Sequence, residues 1–142
     1  MDTLAPSPLT RRVIDSLYTE AMLLSDEART YFDETCLAER DALAPKTRVL
    51  FACESVKMTA RLTHVIMWLL AARAYGAESA RPLSIIALSE PHVLASLPEE
   101  ARELITVGQT LYLRLVRLEA QLVHRKMPSP VTQLITQISA AF

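Results

Sequence analysis

Residues 50–74 read as one helix that is apolar on two sides, a pattern few small folds can accommodate. One stripe is Val49, Cys53, Val56, Ala60, Met67, Leu70 and Ala74, at gaps of three and four interrupted by Thr63. The other is Phe51, Met58, Leu62, Val65, Leu69 and Ala72. A surface helix needs one apolar stripe to face its core, so a helix with two must be covered twice. This segment is therefore the centre of a bundle, an oligomer contact, or both. The polar residues left over, Glu54, Lys57, Arg61 and His64, recur at spacings of three and four and share a strip.

Two more helices can be read on either side. Ser7 and Pro8 supply an N-cap and a first-turn proline, and Ile14, Leu17, Ala21, Leu24, Ala28 and Tyr31 then form one seam. The seam weakens after Phe32, which predicts an end between Glu34 and Leu43. Pro45 opens the central helix and Gly76 closes it. Ser96 and Glu99 read as a capping box, followed by Leu104, Gly108, Leu111, Leu115, Leu118 and Leu122 on one face. Gly108 on that seam implies a neighbouring backbone or a large ring such as Trp68. Residues 77–95 either hold a short helix or pack across an end of the bundle, and a partner-binding role for their apolar run Leu83 to Leu88 competes with these.

Two glycines in 142 residues favour helix over sheet and exclude a glycine-rich phosphate loop. The fold class expected is all-α: an antiparallel three-helix bundle spanning residues 1–130, its helices each roughly 40 Å long. Residues 131–142 form a separate apolar tail. The second stripe of the central helix, uncovered by this count, predicts a homodimer through Met58, Leu62, Val65 and Leu69.

The chain offers little for catalysis. Histidines at 64, 92 and 124 have no metal-binding spacing, and no cofactor is expected. Ser55 lies in mid-helix rather than on a strained elbow, so we read no enzyme here. Cys36 and Cys53 lack a paired spacing and read as free thiols in a reducing compartment. There is neither a signal-peptide pattern nor an apolar run near the ~20 residues of a membrane span, which predicts a cytoplasmic protein. A net charge of −1 gives no global attraction to nucleic acid; a nucleic-acid reading rests on Arg102, Arg114, Arg117, Arg125 and Lys126 of the third helix, and the macrodipole accounts for the last two.

Three segments carry a resemblance. Glu54-Ser55, Thr59, Arg61-Leu62, Trp68-Leu69-Leu70 and Arg73-Ala74 resemble the signature helix of the RcdA family of alphaproteobacterial proteins. Leu17-Tyr18 through Asp33 and Leu97-Pro98 through Leu115 resemble that family's first and third helices. The resemblance covers residues 14 to 122, leaving out 77 to 95. It implies a non-enzymatic adaptor that brings protein clients, regulators of the cell cycle, to the ClpX unfoldase of the ClpXP protease. A helical structural or DNA-associated regulator is the alternative.

Two surfaces are candidates for partner binding. The strip Glu54, Lys57, Arg61, His64 serves as an adaptor surface or a simple intrahelical charge ladder, or its Glu54 and Arg61 serve an internal ion pair or the subunit contact. The tail carries Val131, Leu134, Ile135, Ile138 and Phe142 at helical spacing with no charged side chain. It docks back on the bundle, which its apolar character favours, enters a partner's groove, or frays. Its composition departs from the long polar tail usual in the family.

Overall fold

The computed structural model describes residues 7–83, 86–126 and 130–141, and among these every regular element is helical. Ser7 caps α1 (Pro8–Thr30), its Oγ accepting from the Thr10 amide at 3.1 Å. The chain then widens into a π turn (Tyr31–Thr35) and a short α2 (Leu37–Asp41). Pro45 stands at the start of α3 (Pro45–Tyr75), which ends at Gly76 with φ +94° and ψ 153°, a conformation open essentially to glycine alone. A 3₁₀ turn (Ala77–Ser79) and α4 (Pro91–Ala95) precede α5 (Glu99–Lys126) and α6 (Pro130–Ala141).

The capping box read at Ser96 and Glu99 does not form. Ser96 Oγ instead donates to the Val93 carbonyl of α4 at 2.6 Å, and α5 begins three residues later. Glu99 and Glu100 sit in its first turn, where the helix dipole favours negative charge.

The π turn re-aims the end of α1. Tyr31 is buried and donates its hydroxyl to Glu39 of α2 at 2.9 Å. Burial and that carboxylate together push the phenol pKa well above its ordinary value. Phe32 then meets Phe51 of α3 edge-on, ring centroids 5.5 Å apart. Cys36 is buried, while Cys53 is exposed; both are free thiols.

The three long helices pack pairwise around one core. Asp15 near the start of α1 pairs with Arg73 near the end of α3, and Phe32 meets Phe51 at the opposite ends, so these two helices run in opposite directions. Glu20 with Arg114, and Leu24 beside Gly108, set α1 against α5 in the same way. Between α3 and α5 the order differs: Met58 faces Gly108 and Trp68 bonds Glu119, so the two run parallel. This corrects the fully antiparallel expectation.

The correction explains the long connection. Two parallel neighbours need a link that returns along the helix, about 46 Å for α3 at 1.5 Å per residue. The connection, residues 77–98, makes that return with the 3₁₀ turn at Ala77–Ser79 and α4 at Pro91–Ala95 along it.

Gly108 is buried against Met58, not Trp68: a Cβ there would lie 3.2 Å from Met58 Cε and 3.8 Å from Leu24 Cδ2. The near atom is the free end of a flexible thioether, which can swing aside. Replacing glycine with alanine in mid-helix stabilises by about 1 kcal/mol. Gly108→Ala should therefore raise the urea midpoint without changing the slope; a lower midpoint would mean that Met58 cannot yield.

Candidate functional site

The inward face of α3 carries charge as well as apolar side chains. Phe51, Met58, Leu62, Val65, Leu69 and Ala72 are all buried in the core of the single chain. Glu54 and Arg61, spaced seven apart with Trp68 seven further on, are buried beside them. Met58, Leu62, Val65 and Leu69 are therefore not dimer contacts: at 0–5% exposure they already touch α1 and α5. The stripe left in solvent is the other one, with Val49, Val56, Met67 and Leu70 between 45% and 68% exposed and Cys53 exposed among them.

Burying Arg61 removes a guanidinium from water, which burial opposes by lowering its pKa while nearby Glu54 favours the charged form. Its charge is used to hold the returning chain. One terminal nitrogen donates to the Ala87 carbonyl at 2.6 Å and to Ser89 Oγ at 3.1 Å. Ser89 Oγ in turn donates to Glu54 Oε2, so one hydroxyl bridges the two opposite charges. Lys57, half-exposed, closes on the other Glu54 oxygen at 3.1 Å. Arg61 Nε and its second terminal nitrogen are buried and have no partner among the described residues.

Helix α5 completes the clasp from the other side. Gln109 Oε1 accepts the Ser89 amide at 2.7 Å, and the Tyr112 hydroxyl accepts the Ile86 amide at 3.1 Å. Glu119 accepts both the Leu83 amide and Trp68 Nε1, at 3.1 and 3.0 Å. Backbone groups that have no ladder partner are satisfied here by long-range side chains, as buried or half-buried amides require.

The four residues of the polar strip thus divide. Glu54 and Arg61 are internal, Lys57 reaches in from the rim, and His64 is half-buried further along α3. They form neither a solvated ladder nor an open surface. Neither Ser89, which bridges Glu54 and Arg61, nor Gln109, Tyr112 and Glu119, which hold the returning chain, was legible in these roles. The available signal was the sevenfold spacing of Glu54, Arg61 and Trp68, which puts them on one face beside the Phe51–Met58–Leu62 stripe.

The tail also differs from expectation. Residues 130–141 form a helix, and Val131, Leu134, Ile135 and Ile138 are 50–66% exposed rather than docked on the core. Phe142 lies outside the described residues. Among the cations of α5, Arg114 is engaged by Glu20 at 2.7 Å. No group of three or more His, Cys, Asp or Glu side chains is placed to hold a metal ion among the described residues. No helix among the described residues is long and apolar enough to cross a membrane.

Comparison with known proteins adds a family and nothing more specific. No curated protein and no solved structure matches the chain. Residues 6–142 match the family described as "Protein of unknown function (DUF1465)", which is nearly the whole sequence. The chain belongs to the DUF1465 family.

Proposed function

We propose that this protein is a non-enzymatic adaptor resembling RcdA, which pairs with a second copy and brings protein clients to a ClpX-type unfoldase in cell-cycle-linked proteolysis. The observation that carries the reading is the heptad-like seam on the outer side of α3, Val49, Cys53, Val56, Ala60, Met67, Leu70 and Ala74, much of it in solvent. Gaps of three and four over that length are the pattern of a helix that packs against another helix. An exposed uncharged seam is a solubility hazard unless a partner covers it. A second copy offers the same seam in return, as a twofold contact requires. The homodimer is thus proposed through this stripe, and the exposed apolar side of α6 is left as the surface offered to the proteolytic machinery.

Purified protein and purified ClpX supply the test. The full chain should sediment as a dimer at micromolar concentration and bind ClpX. Truncation after Pro130 should leave melting unchanged, because Val131, Leu134, Ile135 and Ile138 cover nothing in the monomer core, yet weaken ClpX binding at least tenfold. Equal binding by the truncated chain would remove α6 from the reading. A full chain that neither binds ClpX nor speeds degradation of any protein captured with it would remove the adaptor role altogether.

A further inference from the structure

We infer that the groove between α3 and α5 is a binding site for a non-helical peptide segment, and that residues 86–89 occupy it as a ligand held in cis. Its contacts are of the kind a receptor makes. The Tyr112 hydroxyl takes the backbone N–H of Ile86, Arg61 the carbonyl of Ala87, and Gln109 the N–H of Ser89. All three side chains belong to the two helices, and all three address main-chain atoms, which any sequence supplies.

Selectivity comes from two positions. Ile86 is half-buried against the core, and Ser89 is buried with its hydroxyl between Arg61 and Glu54. Ala87 and Leu88 between them are exposed and are not read. The ligand is therefore a segment without helical structure, with an apolar residue followed three positions later by serine or threonine. A residue without a hydroxyl at the second position would leave two buried charges without their bridge. A partner's segment of that pattern displaces residues 86–89 and takes over the same bonds.

This deepens the adaptor reading by naming the class of client segment, but it does not stand or fall with ClpX: peptide binding and unfoldase binding are separate measurements. Two experiments test it. In the wild-type chain, the Ile86 and Ser89 amides should exchange hydrogen at least a hundredfold faster than those of Leu62 and Leu111, showing that the segment lifts while the core stays closed. Exchange of all four at one rate would make the segment an integral part of the core and overturn the proposal. In the variant Ile86→Pro/Ser89→Ala, the groove residues are intact but the cis bonds to Tyr112 and Glu54 are lost. A fluorescent peptide of residues 81–90 should bind this variant at least tenfold more tightly than the wild type, and a peptide carrying Ser89→Val should lose that binding. Equal anisotropy for the two proteins, or for the two peptides, refutes the site. If the variant proves unfolded by circular dichroism, the exchange rates of the wild type decide alone.

Discussion

Glu54→Leu should cost more stability than Arg61→Met, although the two residues belong to one buried cluster. Removing Glu54 leaves the Arg61 guanidinium, fully out of water, without a compensating charge. Stranding one member of a buried pair costs about 3–5 kcal/mol. Removing Arg61 strands less: Glu54 keeps Ser89 and the ammonium of Lys57, which is itself 40% exposed and in contact with solvent. The double variant Glu54→Leu/Arg61→Met removes both charges and should recover much of the loss, since apolar replacements of buried pairs are often neutral. Urea denaturation of the four proteins forms the cycle. Additive losses would mean that the two charges do not communicate through Ser89.

The second large effect separates neighbours on α3. Leu69→Glu should abolish folding, because Leu69 is 0% exposed and an unpaired carboxylate there meets only core side chains. The penalty of several kcal/mol is comparable to the about 5–15 kcal/mol that holds a domain of this size together. Met67→Glu, two residues earlier and 63% exposed, should leave helicity and melting nearly unchanged. Paired with Val56→Glu, it should instead convert a dimer to a monomer in sedimentation. A folded Leu69→Glu chain would place that residue outside the core, and a dimeric Val56→Glu/Met67→Glu chain would move the subunit contact off this stripe.

That contrast marks where sequence patterning loses its force. Period alone locates two apolar stripes on α3, but it is symmetric between them. Both repeat at three and four, both are rich in Leu, Met and Val, and nothing local says which meets α1. The asymmetry arises from Glu54 and Arg61, which lie on the buried side because a neutralising partner waits there. A charge that reads as solvent-seeking in sequence becomes an inward-facing residue once Ala87, Ser89 and Glu54 satisfy it. Ala87 and Ser89 lie 26 to 35 residues along the chain from the charges they satisfy, beyond the reach of any helical spacing.

The local chemistry was legible at the ends of α1 and α3, though not at the start of α5, where Ser96 bonds back to Val93. Ser7 and Pro8 start α1, Pro45 starts α3 and Gly76 stops it, because caps and breakers act through the backbone of a few adjacent residues. The seams of α1 and α5 follow from the 3.6-residue period, which demands one covered face. The parallel direction of α3 and α5, the clasp on residues 86–89 and the choice of outer stripe came from elsewhere. They depend on how far the connection must travel and on which distant side chains meet its amides, and those are properties of the packed chain, where buried charge and backbone must find partners in three dimensions.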